Sequence, residues 1–120
     1  MDERNRVNPT RLDYDGPVKL YTIDHIPGVE LEALGMVEGS VVQSKHIGRD
    51  LMAGLKTIVG GEIVGYTEML TEARAIATAR MARQAEALGA DAVVNVRYSS
   101  SAIMESAAEV LAYGTAVRIK

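Results

Sequence analysis

A chain of 120 residues with a formal net charge of −3 suits one domain around one core, and its 13 Lys and Arg residues are scattered rather than grouped, which argues against a nucleic-acid groove. There is no Cys, which removes disulfides, thiolate metal sites and cysteine nucleophiles together, and no run reaches the ~18 apolar residues of a membrane span. The charged opening Met1-Asp2-Glu3-Arg4 leads into no apolar stretch, so the expected compartment is the cytoplasm.

Phe and Trp are missing and five Tyr carry the aromatic bulk, so the core is expected to be aliphatic, with Ala and Gly permitting close backbone approach in the second half. Residues 1–17 read as an irregular arm, since Asn8-Pro9 and Asp15-Gly16-Pro17 are turn chemistry. Residues 18–120 read as the folded domain. A β-branched and aromatic run over 18–23 predicts a strand closed by Ile26-Pro27-Gly28, and a second strand over about 30–46 carries Gly35 and Gly39, which suggest a bulge or bend.

Asp50 could cap a short helix over 50–58, ended by Gly60-Gly61. From about Glu62 to Leu88 the pattern is helical, with Tyr66, Leu70, Ala73, Ala77, Met81, Ala85 or Gln84, and Leu88 on one stripe, and Gly89 as the stop. A hairpin follows: a strand over 92–98, a polar loop over 99–106 and a returning strand over 109–119. That last strand has two apolar faces, Leu111, Tyr113, Val117 and Ile119 on one, Val110, Ala112, Gly114 and Ala116 on the other. The small face suits the alanine stripe of the helix, and the bulky face calls for a partner subunit. The expected class is α+β, an antiparallel sheet packed against one long helix plus a short one in the order β-β-α-α-β-β.

The phrases Leu34-Gly35-Met36-Val37-Glu38-Gly39, Arg49-Asp50, Ile58-Val59-Gly60-Gly61-Glu62-Ile63, Tyr66-Thr67-Glu68, Ala73-Arg74, Leu88-Gly89-Ala90-Asp91-Ala92-Val93-Val94 and Glu109-Val110-Leu111-Ala112-Tyr113-Gly114-Thr115-Ala116-Val117 resemble the YbjQ family of small bacterial and archaeal proteins. The likeness runs from about Leu20 to Ile119 and leaves the arm outside. It implies a long helix on an antiparallel sheet, a homo-oligomeric ring, most often a pentamer, and an uncharacterised role in a family labelled heavy-metal-binding.

The residues support that label weakly. Soft metals want thiolate, imidazole or thioether ligands, and the chain offers His25, His46 and six Met. The two histidines lack ligand spacing, while Met36, Met52, Met69, Met81 and Met104 read as core fillers. A metal ion shared around a ring axis would take one carboxylate per subunit, from Glu62, Glu105 or Glu109. An anion or small ligand could sit at Gly60, Gly61, Glu62 and Tyr66, where paired glycines precede a helix, although no nucleotide pattern is matched and a tight interhelical turn accounts for the same residues. Arg74, Arg97 and Tyr113 are candidates for intersubunit pairing, either arginine with Glu109 if that carboxylate is buried. The leading expectation is a non-enzymatic homo-oligomer holding a metal ion or small ligand at a pore or interface. The alternative is a ring enzyme using intersubunit carboxylates of Glu62, Glu105 and Glu109.

Overall fold

The computed structural model describes residues 14–44, 58–59, 62–104 and 107–120. They form β1 (Lys19–Leu20), β2 (Leu31–Ser44), β3 (Ile58–Val59), β4 (Glu62–Ile63), α1 (Val64–Ala87), β5 (Ala92–Met104) and β6 (Ala107–Ile119). The main sheet has the order β1-β5-β6-β2, and β3 with β4 forms a separate two-stranded ladder. The pairings β2/β6 and β5/β6 are antiparallel, whereas β1 runs parallel to β5. The chain is thus α+β, with a long helix on a mixed sheet.

The helix spans 24 residues, about 36 Å. Its C-terminus is closed by Gly89 at φ +77°, where the N–H of Gly89 bonds the Glu86 carbonyl and that of Ala90 bonds the Ala85 carbonyl. This double bond pattern needs a left-handed residue, which glycine adopts without a Cβ clash. The stripe forecast from spacing faces the sheet: Ala73, Ala77, Met81 and Ala85 are fully buried in a core with Val37, Val41, Val93, Val96, Val110, Ala112 and Ala116. Leu88, on the same stripe, is largely exposed.

Close approach explains the small residues. Val37, Gly39 and Val41 of β2 lie opposite Gly114, Ala112 and Val110 of β6, and this is the face on which α1 rests. Gly39 sits directly beneath the helix backbone at Ala77 and Met81. The bend foreseen in β2 occurs at the register shift between Ala33 and Gly35, while Gly39 is regular strand that makes room for the helix.

Three boundaries differ from the sequence reading. The 18–23 strand shrinks to two residues because β5 bulges between Val94 and Arg97, with Asn95 at φ +57°, so the regular ladder cannot continue. Single backbone bonds still tie Tyr21 to Val93 and Val96, and Ile23 to Asn95. The polar loop over 99–106 is strand as far as Met104, pairing with Ala107 to Leu111. Backbone pairing is indifferent to serine, and a strand exposed on both faces needs no apolar alternation. Ile58 belongs to β3, not to a helix, and the long helix begins at Val64 because Glu62 and Ile63 pair back onto Val59 and Ile58. The residues on either side of the glycine pair are therefore antiparallel strand on both sides, not the end of one helix and the start of another. Residues 50–57 of the expected short helix lie outside the described residues.

Candidate functional site

The sheet face turned away from α1 is built by the alternation that buries the other face. Its rows run across β2, β6 and β5: Met36, Thr115 and Val94; Glu38, Tyr113 and Arg97; Ser40, Leu111 and Ser99; Val42, Glu109 and Ser101. Among the described residues, only one end of it is covered, where Tyr21, Ile26 and Leu31 pack on Ala92, Val94 and Val117. Val117, expected to need a partner, is therefore buried intramolecularly. Beyond it, Met36 is 74% exposed, Val42 59% and Tyr113 36%, and Leu111 is half-buried.

Arg97 and Tyr113 are cross-strand neighbours on this open face. The Arg97 side chain is exposed, yet its guanidinium turns back onto the backbone. It donates from Nη1 to the carbonyls of Thr22 at 2.8 Å and Val96 at 2.9 Å, bracing the β5 bulge against the segment after β1. Glu109 is exposed on the same face but lies four residues along β6 from Tyr113, about 13 Å, beyond an ion pair with Arg97. Arg74 sits on α1, on the opposite side of the sheet. Within one subunit Glu109 is exposed, and no described charged side chain is buried.

Tyr66 is half-buried in the first turns of α1, and Glu62 lies in β4. Gly60, Gly61 and Glu105 lie outside the described residues. Among those described, no group of three or more His, Cys, Asp or Glu converges. His25 is exposed and pairs through Nδ1 with the Asp24 carboxylate at 2.8 Å, which lowers the Asp24 pKa. Met69 and Met81 fill the core as expected, but Met36 and Met104 are exposed, at separate places on the sheet. The described donors of one subunit thus do not fit a soft-metal site. His46 and Met52 lie outside the described residues. Among the described residues, no helix is long and apolar enough to cross a membrane.

Sequence reasoning missed Tyr14, placed in the irregular arm. Its hydroxyl donates to Glu86 Oε2 at 2.7 Å and accepts the Val18 N–H at 3.0 Å, pinning the chain ahead of β1 to the last turn of α1. Burial, with help from the Glu86 hydrogen bond, pushes its pKa up to about 12. The signal available was one aromatic residue in a stretch otherwise rich in turn chemistry.

The family model described as "Putative heavy-metal-binding" in the YbjQ group matches residues 18–120. Among similar proteins, a UPF0145 protein of Thermotoga maritima is 62% identical over 100 residues, covering 82% of this chain and 94% of its own. That of Clostridium novyi is 57% identical over 100 residues, covering 83% and 97%. That of Vibrio parahaemolyticus is 63% identical over 99 residues, covering 82% and 94%. Among solved structures, a protein of unknown function from Pediococcus pentosaceus, of the DUF74 family, has the same fold with a TM-score of 0.61 at 14% identity, over 86% of this chain and 98% of that one.

Proposed function

The chain belongs to the YbjQ family, and from that footing we propose that it works as a non-enzymatic homo-oligomeric ring, a pentamer, whose subunit contacts use the open face of the sheet. The observation that carries this reading is the exposure of Met36 and Val42, 74% and 59%, beside Leu111 and Tyr113 on one continuous sheet face. Burying such side chains gains roughly 25 cal/mol per Å² of apolar area.

A small ligand or ion would then be held between subunits, where Glu109 supplies one exposed carboxylate per copy on the contact face. Replacing Met36 and Val42 together by Glu leaves the helix-side core untouched and places charge in the contact. Analytical ultracentrifugation is expected to show the ring lost in that variant, with the far-UV spectrum unchanged; a ring of unaltered size would refute the assignment of this face. Elemental analysis of the intact oligomer tests the ion, which is expected at a fixed ratio per ring and to be lost on Glu109→Gln.

A further inference from the structure

The two edges of the main sheet are finished differently. On β2 the outward N–H of Glu38 donates to Gln84 Oε1 at 2.8 Å, and the outward carbonyl of Ser40 accepts from Arg80 Nη1 at 2.6 Å. Side chains of α1 therefore occupy the positions a further strand would need. On β5 the outer edge is occupied only as far as Val96, which donates to the Tyr21 carbonyl. Beyond it, among the described residues, nothing pairs with residues 98–104 on that side. Alternation from Val96 turns the N–H and C=O of Tyr98, Ser100 and Ala102 outward. Residues 98–104 contain no charge and no proline, the usual means by which an edge is kept from pairing, and every one of them is exposed.

The chain also holds a strand pair without a sheet. β3 and β4 share two residue pairs, Ile58 with Ile63 and Val59 with Glu62, and join no other described strand. A two-stranded ladder of that length is not stable in water by itself. We propose that the β3–β4 ladder of a second copy adds to the edge of β5 at residues 98–104, making a sheet that crosses the subunit boundary. This inference rests on the ring reading above and names the backbone half of its contact. The two surfaces are unlike, so the contact is of the heterologous kind, which forms a ring where the rotation between copies closes.

The chain has no native Cys, so paired cysteines report the contact directly. Oxidation of a Ser100→Cys/Ile63→Cys variant is expected to give a denaturing-gel ladder of two, three and more covalently joined subunits. A cross-link confined to one chain, or a band of two subunits from Ser100→Cys alone, would overturn the proposal by identifying a different occupant. Hydrogen exchange on the unaltered oligomer decides the matter without geometry: Ser100 and Ala102 amides are expected to exchange at least tenfold more slowly than in Ser100→Pro or in the Met36→Glu/Val42→Glu variant, as read from the amides each variant retains. Fast exchange in an intact ring would overturn the edge contact and leave the ring reading standing. A monomeric unaltered chain would defeat the ring reading itself, and the edge contact with it.

Discussion

A Cβ built on Gly39 would run into the carbonyl oxygen of Ala77 and lie 2.7 Å from the Cβ of Arg80, so α1 rests on β2 at backbone distance. The neighbouring atoms are helix backbone and cannot swing aside as a side-chain tip could. Overpacking a well-filled site costs about 1–3 kcal/mol or more. Gly39→Ala is expected to lower stability by at least that amount and Gly39→Val by more, read as a fall in the urea midpoint with m unchanged. A neutral Gly39→Ala would mean that the helix does not lie where this contact puts it.

Tyr14 and Glu86 give a pH dependence with a definite sign. The folded state raises the Tyr14 pKa from 10.0 to about 12, so the neutral phenol is favoured on folding. Below pH 10 the contribution is complete. As pH rises from 10 to about 12 the unfolded chain releases this proton first, and the contribution is lost. Tyr14→Phe is expected to cost about 1–3 kcal/mol at neutral pH, because the Val18 N–H loses its acceptor along with the Glu86 bond. The stability gap between the two proteins should hold constant up to pH 10 and shrink above it in urea titrations.

Asn95 holds φ +57° at the β5 bulge. Asparagine tolerates the left-handed region, whereas a β-branched residue there is strained by about 1–3 kcal/mol. Asn95→Gly should leave the thermal midpoint within a few degrees, and Asn95→Val should lower it clearly. Equal effects of the two would show that the bulge is not set by this residue.

Met81 and Met36 are the same residue type in opposite settings, one fully buried and the other 74% exposed. Truncating Met81 to Ala removes core volume and is expected to cost about 2–5 kcal/mol in chemical denaturation. Met36→Ala should change the stability of a dissociated subunit by less than about 0.5 kcal/mol and be felt in assembly instead.

The long helix and the two-faced last strand were legible because each writes its burial into a period, with Ala73, Ala77, Met81 and Ala85 every fourth residue and Val110, Ala112, Gly114 and Ala116 every second. Family resemblance pointed to the fold in the same way. Segments with no period misled: Ser99, Ser100 and Ser101 read as a loop because exposed strand carries no apolar signal, and the pairing of Ile58 with Ile63 across two glycines was hidden behind a plausible helix stop. Gly39 looked like a bulge because a sequence does not distinguish glycine that bends a strand from glycine that admits a helix. Of the site candidates, Arg97 and Tyr113 are brought together, Glu109 and Arg74 are set on opposite sides of the sheet, and Tyr14 went unnoticed because its role depends on Glu86, 72 residues away.

The measurement that bears most directly on the account is the native mass of the full, unaltered chain at micromolar concentration. An assembly of five 12.9 kDa subunits is expected, disrupted when Met36 and Val42 are both replaced by Glu. A species of one subunit mass under the same conditions would contradict the claim that the open face of the sheet is a subunit contact.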